Sequence, residues 1–244
     1  MAAAAAAGVA DVAGVNIKLP DDVDDVNTGG YDGDMPAVPA PRPARKPARA
    51  YHHGNLRQAL VDQAERTIRE TGVEALTLRE VGQHLRVSRT ALYRHFADKQ
   101  ALLAAVAGQG FRAFRQALAE AWEPSRHDRD GFMDMGRAYV RFARDNPSYY
   151  RVMFGGFVDK VECDPGLADE AGSAFAVLVG AIAELQQRHI VRGTDAPALA
   201  LFVWASTHGL ALLAIDGQLT RPDIDLDAVI EGTIAHIWLG IEQR

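Results

Sequence analysis

The stretch 77–99, TLREVGQHLRVSRTALYRHFADK, leaves few folds open to the chain that carries it. It holds two short helical patterns and a tight connection within about 20 residues, the size of a helix-turn-helix unit. Thr77 and Glu80 form a T-x-x-E capping box, which starts a helix at Leu78. Leu78, Val81 and Leu85 then fall on one face at helical spacing. Ser88 is a second N-cap candidate. The helix it opens points Leu92 and Phe96 inward and leaves Arg89, Thr90, Tyr93 and Arg94 outward. Arginines, hydroxyls and an aromatic on the free face of a short helix suit a DNA major groove, where arginine reads guanine and threonine touches the thymine methyl.

Charge supports a localised nucleic-acid surface rather than a chain coated with one. The net charge of −6 over 244 residues excludes the second. Residues 1–40 carry Lys18 against seven aspartates, whereas 41–50 carry Arg42, Arg45, Lys46 and Arg49 with no acid. Residues 51–99 add seven arginines and Lys99 against six acids, so a positive island sits between acidic regions. Cys163 is the only cysteine, which rules out an intrachain disulfide and fits a reducing cytoplasm. The opening MAAAAAAGVADVAG lacks a basic flank and does not read as a signal peptide. The apolar run 196–215 is interrupted by Ser206, Thr207 and His208 and reads as a buried helix, not a membrane span.

Residues 1–50, rich in Ala, Asp, Gly and Pro, are expected to be a disordered tail whose end, 37–50, is a basic Pro-rich linker. It is read equally as an arm along the DNA backbone and as a solvated tail. Residues 51–97 form a three-helix DNA-binding domain. Its first helix (55–71) is capped by Asn55 and closed by Gly72, and its core is Leu60, Ala64, Ile68, Leu76, Leu78, Val81, Leu85, Val87, Leu92 and Phe96. Residues 98–244 form a larger helical domain. A fourth helix, capped by Asp98 and reaching Trp122, leads into helices over 132–146, 147–157, 167–189, 196–218 and 226–242. The last carries Leu226, Val229, Ile230, Ile234, Ile237, Trp238 and Ile241 at i, i+3, i+4, i+7 spacing. Period-2 alternation with hairpin glycines is missing, so the fold class is all-α.

Residues 51–99 closely resemble the DNA-binding domain of TetR-type (tetracycline-repressor-like) transcriptional regulators. The likeness rests on Gly72, the Thr77-Leu78…Val81 helix start, Val87-Ser88, the Leu92-Tyr93…Phe96 block and Lys99. The opening YHHGNLRQAL and Trp204…His208-Gly209 resemble the branch with a WHG-type C-terminal domain. The resemblance implies a homodimer whose third helices enter successive major grooves of a pseudo-palindromic operator. It further implies dimerisation through the last two helices, a small-molecule effector, and phosphate contacts at the positions of Thr77, Tyr93 and Lys99. One position departs: the turn before Val87 usually carries glycine and here carries Arg86, so either a positive φ costs about 1 kcal/mol or the turn is shaped differently.

Within that frame Arg89 and Thr90 are the expected base readers, Arg94 and His95 are backbone contacts or solvated, and Ser88 caps. For Thr77 and Tyr93 the plainer reading is capping and packing alone. An effector pocket is expected among Tyr139, Phe142, Met153, Phe154, Phe157, Phe175, Trp204 and His208, although such stripes are more often plain core. For His208 a satisfied core histidine outweighs a ligand contact. The dimer interface is assigned to Leu226, Ile230, Ile234, Ile237, Trp238 and Ile241. His52-His53 has no completing ligand, so neither metal nor cofactor is expected. G-x-S-x-G, phosphate-loop and H-E-x-x-H motifs are missing, so no enzyme is read. The expectation is a repressor released by its effector. The alternatives are an activator or effector-independent regulator, and, further off, a helical enzyme or interaction protein.

Overall fold

The computed structural model describes residues 56–122, 128–158 and 165–243. The 1–50 tail, His52-His53, the Asn55 cap and Cys163 lie outside them. Nine helices occur among the described residues: α1 (Leu56–Thr71), α2 (Leu78–His84), α3 (Arg89–Tyr93), α4 (Lys99–Ala121), α5 (Arg129–Asp145), α6 (Pro147–Phe154), α7 (Pro165–Gln187), α8 (Ala196–Ile215) and α9 (Leu226–Ile241). The one extended pairing among these residues is an isolated antiparallel bridge between Val191 and Glu242.

Caps set most of the boundaries. The side chains of Thr77, Ser88, Asp98, Asp128, Asp195 and Asp225 each accept a backbone N–H from the first turn of the helix that follows. Asp128 starts α5 at Arg129, ahead of the expected Phe132, because its carboxylate takes the N–H groups of Asp130 and Gly131. At the other ends, Gly72 closes α1 at φ +88°, and Gly156 and Gly217 turn the chain after α6 and α8 at +74° and +72°. His189, at φ 56°, does the same after α7, letting Ile190 N–H reach Leu185 O at 2.9 Å.

The long helix α4 is the axis of the molecule. At 23 residues and about 1.5 Å each it runs on the order of 35 Å. It packs on α1, α5, α6 and α7. Residues Leu102 to Gly108 are buried without a break, since neighbours surround that part of the helix. Two helices approach α4 and α5 closely because glycine is there. A Cβ at Gly110 would stand 2.6 Å from Met153 Sδ, and one at Gly136 2.8 Å from Ile234 Cγ2.

The structure corrects the reading of α9. Ile230, Ile234, Ile237, Trp238 and Ile241 are buried inside the chain, Ile241 completely, and Leu226 is partly buried against the same core. The stripe faces α5 and α8, so it is intrachain core and not a dimer interface. Periodicity reveals that a face is covered, not by which chain. The reading of α8 as a buried helix is corrected in the opposite sense. Leu201, Phe202, Leu212 and Leu213 are exposed on it, as is Leu239 on α9. Both α7 and α8 are long and apolar enough to cross a membrane by length and composition alone, weak evidence for helices in a packed bundle.

Candidate nucleic-acid interface and internal cavity

Helices α2 and α3 meet over a buried wedge. Leu78, Val81, Leu92 and Phe96 are buried, joining Leu60, Ala64, Ile68 and Leu76 beneath, while Leu85 and Val87 are partly covered. The approach needs Gly82, where a Cβ would lie 2.9 Å from Leu92 Cδ1. Arg86 does adopt the left-handed conformation, with φ 54°. Its N–H bonds Gln83 O at 3.0 Å, and Val87 N–H bonds Gly82 O at 3.0 Å, so the turn is hydrogen-bonded despite the wrong residue for it.

This wedge leaves a free polar face. Arg89, Thr90, Tyr93, Arg94 and His95 are exposed together, with Tyr93 at 45%. The Arg89 guanidinium stands 5.4 Å over the Tyr93 ring, which holds it along the face. Thr77 Oγ accepts from Glu80 N–H at 3.2 Å and Ser88 Oγ from Ala91 N–H at 3.2 Å, leaving both hydroxyls at the rim of the face as caps. Lys99 is not wholly free: its ammonium donates to Glu74 O at 2.9 Å, tying the first turn of α4 to the loop between α1 and α2.

The second site lies between helices. Residues of α4 to α9 line a cavity of about 120 Å³. Tyr139, Phe154, Phe175 and Trp204, four of the residues assigned to an effector pocket, line it. Phe142, Met153, Phe157 and His208 do not, which corrects that part of the expectation. Phe142 packs its ring 5.1 Å from Phe114, and Met153 fills the space over Gly110. Phe157 closes over Gly155 after α6. His208 stands behind the wall, its Nδ1 3.1 Å from Tyr139 Oη and 2.6 Å from Tyr150 Oη. Sequence reasoning missed Phe111, Phe114, Phe132, Met135, Thr207, Ile234 and Ile237. Their helical spacing marks them as buried, and nothing in spacing separates a cavity wall from packed core.

Hydrogen bonds tie this wall to α6, and others tie α6 to α1. Trp204 Nε1–H donates to Tyr139 Oη at 3.0 Å, and Tyr150 O–H reaches the same oxygen at 3.1 Å. Burial pushes both phenols well above the usual tyrosine range, so they stay protonated. Ser148, two residues before Tyr150 on α6, donates to Glu65 of α1 at 2.6 Å. Tyr149 accepts from Gln109 of α4 at 2.8 Å, and Gln109 also bonds Asp62 and Gln58 of α1.

Comparison with known proteins places both halves. Residues 60–106 match the family model of bacterial regulatory proteins of the tetR family, and residues 132–237 match a tetracyclin repressor-like C-terminal domain. The class D tetracycline repressor protein of Escherichia coli is 30% identical over 162 residues, covering 58% of this chain and 71% of that protein. The chain belongs to the TetR family. It is therefore a DNA-binding transcriptional regulator and not an enzyme, and regulators of this family act as dimers. A second relative is named an HTH-type transcriptional activator, FasR of Mycolicibacterium smegmatis, at 24% identity over 82% of this chain and 92% of its own. Among solved structures, a protein from Rhodococcus sp. RHA1 superposes with a TM-score of 0.71 at 32% identity, over 80% of this chain and all of that one.

Proposed function

We propose that the chain is a homodimeric repressor, released from a pseudo-palindromic operator when a small molecule enters the cavity between α4 and α9. Residues 51–97 read DNA and 98–244 sense the effector and dimerise. The observation that carries the DNA half is the face of α3. Arg89 and Thr90 stand at its start as base readers, while Thr77, Tyr93 and Lys99 surround it as phosphate contacts, with Arg94 and His95 at the backbone. Ser88 keeps the helix capped.

Dimerisation uses the outward side of α8 and α9 rather than the α9 core stripe. Leu201, Phe202, Leu212, Leu213 and Leu239 are exposed there, a cluster that a monomer has no reason to leave in water. Gly209 and Gly232 lie on the same two helices with nothing near the position of a Cβ, which suits close helix approach. Two recognition helices then meet half-sites about 34 Å apart.

Effector release is supported by the bonds that lead from the cavity wall to α1. A ligand that displaces Tyr139 disturbs Tyr150, and α6 carries the shift to Ser148 and Glu65. A differential affinity of about 1–3 kcal/mol between the two arrangements is enough for a graded switch. The relatives carry the names of a repressor and of an activator, so an activator is the second reading.

Replacing Arg89 by alanine tests the interface. The expected result is a loss of about 1–3 kcal/mol on a genomic fragment selected by the wild-type protein, with little change on random DNA. An equal loss on both removes Arg89 from base reading.

A further inference from the structure

We infer that the cavity takes a neutral, apolar molecule about the size of one aromatic ring; this rests on the cavity being the effector site. Its wall contains no Asp, Glu, Lys or Arg. Only Tyr139, Trp204 and Thr207 bring side-chain oxygen or nitrogen to it. Each of these is already committed within the protein. Thr207 donates to Val203 O at 2.9 Å, Trp204 donates to Tyr139 Oη at 3.0 Å, and Tyr139 Oη lies 3.1 Å from both Tyr150 Oη and His208 Nδ1.

A ligand with a carboxylate or ammonium would have to leave water for a wall that offers it no counter-charge and no spare donor. An isolated ion in such a place is strongly disfavoured. Two arginines that flank the wall, Arg137 and Arg112, are engaged in ion pairs with other side chains. Arg137, next to Gly136, forms ion pairs with Glu231 and Asp134 at 2.6 and 2.7 Å. Arg112 on α4, next to Phe111, pairs with Glu170 of α7 at 3.1 Å.

The remaining wall is built for ring contacts. Phe111, Phe114, Phe154, Phe175 and Trp204 meet one another edge-on or tilted, with centroids 5.4–6.3 Å apart. That geometry leaves ring faces and edges to receive another ring. Size sets the other bound. At about 120 Å³ the space is close to that of an apolar cavity of roughly 150 Å³ that binds benzene.

Calorimetric titration of the full chain with toluene, and separately with benzoate as the charged molecule of similar shape, tests the assignment. Toluene is expected to bind and benzoate to bind at least about 100-fold more weakly. Ala171→Leu and Ala174→Leu each place bulk in the cavity, Ala171 at a half-buried site that tolerates it more easily. Whichever variant keeps the wild-type unfolding transition is expected to weaken toluene at least about tenfold. Benzoate binding as tightly as toluene, toluene binding that both folded variants leave intact, or no toluene binding overturns the inference. The same titrations, repeated with the selected operator fragment present, separate it from the release reading. If toluene binds in the cavity and operator affinity does not change, the ligand class stands and release by an occupant fails. If toluene does not bind while operator binding is normal, the ligand class fails and the regulator stands.

Discussion

The Ser148 hydroxyl donates a 2.6 Å hydrogen bond to the carboxylate of Glu65, joining α6 to α1 beside the helix-turn-helix. Glu65 is only 5% exposed and also takes the Arg69 guanidinium at 2.6 Å. A carboxylate held so far from water depends on both donors. Ser148→Ala should therefore cost about 1–3 kcal/mol in urea unfolding. A double-mutant cycle with Glu65→Ala should return a coupling of about 0.5–3 kcal/mol. Additive effects would mean that the two helices are joined by packing alone.

Arg86 offers a test that does not depend on any ligand. Its φ of 54° costs any residue with a Cβ, so Arg86→Gly should be more stable than Arg86→Ala by about 1 kcal/mol, read from denaturation midpoints. Equal stability would mean that the turn relaxes without the left-handed residue. If operator affinity drops equally in both variants, the side chain is contacting phosphate, which would explain why glycine is not there.

Glycines on two helices should respond oppositely to alanine. At Gly180 on α7 an added Cβ meets nothing within 4 Å, so Gly180→Ala should stabilise by about 0.8–1 kcal/mol through helix propensity. At Gly136 the Cβ would meet three atoms of Ile234 between 2.8 and 3.2 Å, and that β-branched side chain has little room to turn. Gly136→Ala should cost about 1–3 kcal/mol of overpacking despite the propensity gain. Thermal unfolding of the two variants reads the contrast.

The two apolar surfaces of α8 and α9 should separate just as cleanly. Leu213→Glu, at 47% exposure on α8, is expected to give a folded monomer by sedimentation. Ile234→Ala, 1% exposed and facing α5, is expected to cost about 2–5 kcal/mol of stability while the surviving folded protein stays dimeric. Dissociation by Ile234→Ala without loss of stability would return the interface to the α9 stripe.

Which of this could be read from the chain follows from what pattern encodes. The helix-turn-helix was legible almost residue by residue. Thr77, Ser88 and Asp98 cap where their side chains predict, and Leu92 and Phe96 are buried where the 3.6-residue period puts them. Local chemistry fixes those features. The α9 stripe was legible as a covered face but not as a face covered by α5, because partner identity is a long-range property. The apolar α8 shows the converse: hydrophobic on every side, it gave no periodic sign of which side remains open. For His208, one turn after Trp204, the sequence favoured a satisfied core histidine over a ligand contact, and its Nδ1 lies 3.1 Å from Tyr139 Oη and 2.6 Å from Tyr150 Oη. Ile234 and Ile237 read as interface and line the cavity.

The central claim is that two copies of α3 read one specific site. Titrating the purified protein on a genomic fragment it has selected, and on the same bases shuffled, over a series of salt concentrations tests that most directly. The expected result is two chains bound per fragment, affinity that falls steeply with salt on both DNAs, and a preference for the selected sequence of at least about 10³. Equal affinity for selected and shuffled DNA, or binding indifferent to salt, would contradict it.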